Sequence, residues 1–448
     1  MFAAGPAHGQ ETLAIKGGRV LTLAGPPIEN GVVLLRAGKI VAVGADVAIP
    51  VDAKVIDAAG KVVMPGHIET HSNRGMDQTN ENNPNVPFLS VVDSIDPAQD
   101  YFDECRRNGV TTVAIVPGNN TMIGGQAAIV KTAGTYITDM LVKRAAGIKI
   151  SLRPTNERSR MSQLVALRKE LDDAKADLEK ERKATTAADK PAPTGKDTKK
   201  EDQPEAEPGQ VPPRRPPVAP GGGGEGPPPP SPEEAAQRRA ALVRLLKGEF
   251  PAFIYCELAM DVHQALRLMK DYQLRAILVL GADCHKAATA LAALGQPVVL
   301  DANLVFWETD PVTGDDRRIA LPAVFRAAGV PFTYQVTGFA SGNLFRAPNL
   351  PATLGSNYLW YQAATAVKYG VPRDEALAAL ASRPAKMLGL DHLVGTLEPG
   401  KDADVIVLSG DPLKLDTWVD HTIIRGQIVY QRDQDRKLKD LLQPAPGK

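Results

Sequence analysis

Eight compact apolar runs dominate the middle of the chain: Ile68 to His71, Val110 to Val116, Ala127 to Val130, Ile148 to Leu152, Ala252 to Cys256, Ala276 to Leu280, Pro297 to Leu300 and Phe332 to Val336. Helical periodicity separates most of them. Buried strands alternating with helices build a parallel sheet, and eight of them predict a closed (β/α)8 barrel of the TIM type. An open doubly wound sheet is the competing architecture, but no G-x-G-x-x-G follows the first strand.

The two ends of the chain have a different texture. Leu13 to Leu23 and Gly31 to Val43 are β-branched runs punctuated by Gly17-Gly18, Pro26-Pro27, Asn30-Gly31 and Gly38, which reads as hairpins. The same texture returns in Asp404 to Leu408 and Thr422 to Tyr430. Residues 11–64 and 391–432 are therefore expected to form one small β-sandwich that encloses a barrel at 65–390. An insert interrupts the barrel at about 184–232, where 14 of the 37 prolines fall between Pro191 and Pro232, with the runs Gly221 to Gly224 and Pro227 to Pro230. Such a composition cannot bury enough surface to offset its ordering entropy, so disorder is expected. The insert is either a docking arm or a tolerated insertion, since long surface loops cost little. Leu164, Leu167, Leu171, Ala174 and Leu178 predict a helix before it, and Ser231-Pro232-Glu233-Glu234 a capped helix start after it.

Composition excludes several functions. Lys plus Arg and Asp plus Glu both number 52, giving a formal net charge of zero, which argues against nucleic acid or an anionic membrane held by bulk electrostatics. No apolar stretch approaches the length of a spanning helix. The three cysteines, Cys105, Cys256 and Cys284, include no C-x-x-C pair, so neither a disulfide framework nor a cysteine-rich zinc finger is available. Met1 to Gln10 lack the charged and apolar regions of an export signal, although Ala7 to Gln10 would pass as the tail of one. A cytoplasmic location is the default expectation, and a periplasmic one follows if a signal was truncated.

Reactive groups of such a barrel sit at the carboxyl ends of its strands. The run Val63-Met64-Pro65-Gly66-His67-Ile68-Glu69-Thr70-His71-Ser72-Asn73 is the first of these ends. A strand entered through Pro-Gly and carrying histidine at its end resembles the amidohydrolase superfamily, metal-dependent hydrolases of cyclic amides and related C–N bonds. Gly109 to Val113, Ile123-Gly124-Gly125-Gln126 and the closing Val394 to Val405, with its Lys401-Asp402-Ala403-Asp404, are similar to the imidazolonepropionase-related branch. The resemblance covers nearly all of the chain outside the insert.

The resemblance implies a divalent metal such as zinc, held by a histidine pair on the first strand, a lysine or carboxylate on the fourth and histidines on the fifth and sixth. An aspartate after the last strand would accept a proton. This chain departs from the pattern at several positions. His71 is followed by Asn73, the fifth strand ends in Tyr255-Cys256-Glu257, and the sixth ends in Val279-Leu280-Gly281. Phe332 to Tyr358 contains no aspartate. Lys149 matches the fourth-strand lysine, or is an ordinary exposed one. The candidate metal ligands are His71, Asn73, Lys149 and His285, with Asp283 and Glu257 as candidate proton-handling groups; the simpler reading of Asp283 and Asp261 is as helix caps. A catalytic zinc needs about three protein ligands, so the metal site reads as degenerate, with the ion weakly held or absent.

Two functions follow. One is a hydrolase of non-peptide C–N bonds acting on a small molecule, with weakened or lost activity. The other is a pseudoenzyme, a ligand-binding partner subunit in a homo-oligomer or beside an active relative. Whether the chain is an enzyme at all is left open by the sequence. Gly124-Gly125 reads as an anion cradle or a tight turn, and Asn80 to Asn83 as a polar loop above the barrel mouth.

Overall fold

A computed structural model describes residues 12–155, 158–188, 231–336 and 357–442. The strands of both chain ends join one eight-stranded sheet. Its order is Gln427–Gln431, Val419–Ile424, Val405–Leu408, Val62–Pro65, Thr12–Val20, Ile28–Arg36, Lys39–Gly44, with Lys54–Asp57 paired beside Thr12–Val20. The ends meet where Val62–Pro65 runs antiparallel to Val405–Leu408. The predicted pairing of the termini is seen, as one continuous hydrogen-bonded sheet rather than two facing ones. Two of its hairpins turn on the residue pairs Ala37-Gly38 and Arg425-Gly426, all four with positive φ, the geometry that matches the twist of the flanking strands. Leu13, Ile15, Val33, Leu35, Ile40, Val63, Leu397, Val405, Val407 and Ile423 form its buried core.

From Pro65 the chain passes through Gly66 directly into a second eight-stranded sheet, curled into a nearly closed barrel. Its strands are β1 (His67–Ser72), β2 (Val110–Ile115), β3 (Ile123–Lys131), β4 (Leu141–Ser151), β5 (Ala252–Cys256), β6 (Ala276–Leu280), β7 (Val298–Val299) and β8 (Phe332–Thr333). All eight expected runs supply a strand, in chain order around the sheet. The strict (β/α)8 pattern is broken at one place: β3 runs antiparallel to both β2 and β4. The reason is local. Residues 116–122 and 132–140 are too short for crossover helices, and parallel neighbours need a dozen or more connecting residues.

Strands β1 and β8 end the hydrogen-bonded path, and side chains bridge them. Thr70 Oγ1 lies 2.9 Å from Thr333 Oγ1 and donates to the Tyr334 carbonyl, while Val336 N donates to Glu69 Oε1 at 3.1 Å. Inside the barrel Ile68, Ala114, Val116, Ala127, Ile129, Phe253, Val279 and Val299 pack together with Ala385, Leu388, Leu390 and Val394, which stopper the amino-terminal end. The alternate residues, such as Val113, Ile115, Ile150, Ile254 and Leu278, face the outer helices.

The expected helices flank the insert as Arg160–Ala188 and Pro232–Leu246. The second is capped by Ser231 Oγ accepting from Glu234 N at 3.1 Å, with Pro232 in its first turn. The two lie parallel, because Asp177 pairs with Arg239 and Glu181 with Lys247 further along both. Helix continues past position 184 to Ala188, and the rest of the proline-rich insert, 189–230, lies outside the described residues. No helix among the described residues is long and apolar enough to cross a membrane.

Candidate active site

The carboxyl ends of the strands place two of the sequence candidates in contact. His71 Nε2 lies 3.2 Å from Lys149 Nζ, and both side chains are buried. On a regular strand Thr70 and His71 would point to opposite faces. A register irregularity between Glu69 and Ser72 in the β1–β2 pairing breaks that alternation, so both reach inward. Lys149 alternates with Ile148 and Ile150, whose side chains pack outward on the helices, and so projects into the barrel. Gly124, opposite on β3, makes room for its stem, since a Cβ there would lie 3.2 Å from Lys149 Cβ. Gly124 and Gly125 thus sit within a strand, not in a tight turn; a Cβ on Gly125 would approach the Leu89 carbonyl to 2.8 Å.

Burial sets the electrostatics. It lowers Lys149 to about 7, since among the described residues no carboxylate pairs with the ammonium. The face of the Tyr255 ring lies 5.3 Å from Nζ and supplies some of the missing stabilisation. Burial, then the neighbouring Lys149 charge, hold His71 well below its usual value, so its imidazole is neutral. Gln335, just after β8, hydrogen-bonds the His71 ring, and its amide donates to the Leu300 carbonyl at 2.8 Å.

The remaining candidates are directed elsewhere. Asn73 lies half-buried just past the end of β1. Glu257 is clamped by Arg160 at 2.7 Å and Arg153 at 3.2 Å. Asp283 accepts from Ala259 N at 2.9 Å, capping the helix Ala259–Tyr272, and pairs with Lys286 at 2.6 Å. Asp261 accepts from the Glu257 and Leu258 amides, again a cap. His285 turns its Nδ1 to the Ala282 carbonyl and its Nε2 toward Glu308, 3.5 Å away on the hairpin Val305–Thr309 and Asp316–Ala320. His71, Lys149, Asp283 and His285 are therefore not one cluster.

Sequence reasoning passed over Asp301, one residue beyond Leu300 at the end of β7. Burial raises it to about 6 against hydrogen bonds from the Asn303 and Ala282 amides. Its charge, after burial, is the largest influence on Tyr255. The resemblance implies an aspartate after the last strand; the buried aspartate here follows the seventh-strand run Pro297 to Leu300, and an apolar run ending in Asp was its signal in the sequence.

Among the described residues, the donors around His71 do not fit a zinc ion. One imidazole, facing an amine, is short of the three protein ligands a catalytic zinc takes, and among the described residues no three His, Cys, Asp or Glu side chains gather to hold a metal. Residues 337–356 contain none of these four types.

Residues 364–430 match the amidohydrolase family model. The segment includes the barrel stopper and the first returning strands. Over 438 residues the chain is 24% identical to the amidohydrolase tasK of Hapsidospora irregularis, covering 88% of this chain and 39% of that protein. A 70-residue stretch is 46% identical to the 5-methylthioadenosine/S-adenosylhomocysteine deaminase of Symbiobacterium thermophilum, covering 15% of this chain and 16% of the enzyme. The chain spans less than half the length of the curated relatives it matches. Among solved structures, an amidohydrolase from Thermotoga maritima superposes with a TM-score of 0.71 at 24% identity, over 94% of this chain and all of that one. A zinc-bound adenosine deaminase from Xanthomonas campestris superposes at 0.50 with 17% identity, over 96% of each chain. These likenesses place the fold among amidohydrolase barrels.

Proposed function

We propose that this chain, which belongs to the amidohydrolase superfamily, hydrolyses a C–N bond of a small cyclic amide or related molecule at the ends of the barrel strands, with His71 and Lys149 as its reacting pair. The contact between a neutral imidazole and an amine depressed to about 7 carries the reading. A neutral amine buried away from bulk water is a general base matched to neutral pH. Lys149 takes a proton from water as the oxygen bonds to the carbon, and returns it to the departing nitrogen as the C–N bond breaks. His71 accepts the Lys149 N–H and fixes the amine toward the reacting water. Tyr255 and Gln335 hold the pair in place.

A divalent ion is the family's usual means of activating water; in this reading Lys149 activates it instead. Metal analysis of purified protein tests this directly: about one or more tightly held ions per chain would contradict it. Release of ammonia or of a new amine, followed over cyclic ureas, cyclic amides and aminopurines, tests turnover. Loss of product in Lys149→Met and in His71→Ala supports the pair, and an unchanged rate in either removes it.

The clamping of Glu257 by two arginines at the fifth-strand ligand position favours a second reading, a ligand-binding subunit without turnover, alone or beside an active relative. Binding without product across the panel would select it.

A further inference from the structure

At the end of the barrel remote from His71, a cleft of about 730 Å³ opens between the strand starts and the stopper segment. Its floor is made by Pro251, Arg275, Pro297 and Pro331, each immediately ahead of β5, β6, β7 or β8. Such a volume suits a small molecule. The lining is apolar apart from Gln296 and four cations, Lys143, Arg275, Arg383 and Lys386, and no Asp or Glu lines it among the described residues.

None of the four cations forms an ion pair among the described residues, in a chain with equal numbers of cations and anions. Arg275 donates to the Gly248 carbonyl. Arg383 donates to the Phe332 carbonyl at 2.8 Å and lies over the Phe332 ring. Burial lowers Arg383, and Asp374 and Glu375 act on it only through weaker long-range attraction. A guanidinium half removed from water without a carboxylate is costly, and an anion entering the cleft would relieve that cost.

We infer that this cleft binds a small organic anion with an apolar body, at a site separate from the His71–Lys149 pair. The prolines and Met387 take the body, while Lys143, Arg383 and Lys386 face the charge. The site does not depend on the proposed hydrolysis.

The probe is 8-anilinonaphthalene-1-sulfonate, one sulfonate on an aromatic body, titrated by fluorescence into the full chain. Its uncharged counterpart is N-phenyl-1-naphthylamine. Saturable binding at one site per chain is expected, weakened about tenfold or more in Lys143→Gln/Lys386→Gln, as for the loss of charge-assisted hydrogen bonds. The uncharged probe should bind at least about tenfold more weakly to the unmodified chain. An unchanged affinity in the folded double variant overturns the inference, as does equal binding of the two probes. The probe comparison needs no variant, so it decides the matter even if the substitutions impair folding.

Discussion

The imidazole of His71 and the amine of Lys149 meet at 3.2 Å inside the barrel with no carboxylate paired to either among the described residues. A buried base of this kind weakens the fold while it is charged. Lys149 titrates near 7 when folded against 10.5 when unfolded. Between these values the unfolded chain holds the extra proton, so stability rises with pH across that window and is lowest below about 7. Lys149→Met removes the liability, and the variant should be more stable at neutral pH by about 1 to 4 kcal/mol while losing turnover. Urea unfolding at pH 6.5 checks it, and a variant less stable than the parent would contradict the assignment.

His67 and Glu69, two residues apart on β1, should tilt stability in opposite directions. Burial lowers His67 to about 4, and a weaker contact with the Asn108 backbone does not offset it. The folded state resists its protonation, so stability falls as pH drops from about 6.5 to 4, by on the order of 3 kcal/mol. Burial raises Glu69 to about 7 despite hydrogen bonds from Tyr101 and Val336 N. There the folded state retains the proton, and stability falls as pH climbs from about 4.5 to 7 by a similar amount. His67→Phe should flatten the acid limb of a stability-against-pH curve and Glu69→Gln the limb approaching neutrality. Identical curves for parent and variants would remove both attributions.

Much of the fold could be read from residues. The eight apolar runs became eight neighbouring strands because burial on both faces leaves little but apolar side chains. The reversed direction of β3 was legible only in the lengths of its connections, which the apolar pattern does not report. His71 stood out as a histidine at a strand end and Lys149 only through the resemblance, and that the two lie 3.2 Å apart could not be read from residues 78 positions apart. Asp283, Glu257 and His285 carried the right chemistry but answered to local demands, a helix amide, two arginines and a hairpin carboxylate. Those partners are distant in sequence or become available only once loops are placed.

The Pro-Gly entry to β1 has a packing reason. A Cβ at Gly66 would overlap the Thr111 side chain on the neighbouring strand, and Gly66 N donates to the Asp404 carbonyl where the chain leaves the terminal sheet. Gly66→Ala should therefore cost about 1 to 3 kcal/mol through overpacking. Thermal unfolding of this variant, alone and with Thr111→Gly, checks it: the second substitution should recover part of the pairwise loss, and strict additivity would show that the two do not collide.

The closing Lys-Asp-Ala-Asp segment anchors the barrel to the terminal sheet through one buried charge. Lys131 at the end of β3 is 1% exposed and reaches Asp404 at 2.6 Å and Asp402 at 3.4 Å, while Asp404 also accepts from Arg425 N. Asp404→Asn keeps an acceptor for Arg425 N but leaves the ammonium with the more distant Asp402. It should cost about 3 kcal/mol, because an uncompensated buried charge outweighs the pair's own net worth. Lys131→Met removes the ammonium, leaving Asp402 its ion pair with Lys39 at 2.7 Å. The Lys131→Met/Asp404→Asn chain should then be more stable than Asp404→Asn alone. A double-mutant cycle measured by urea unfolding gives the coupling directly; a coupling near zero would mean that the segment fixes the two sheets by its backbone alone.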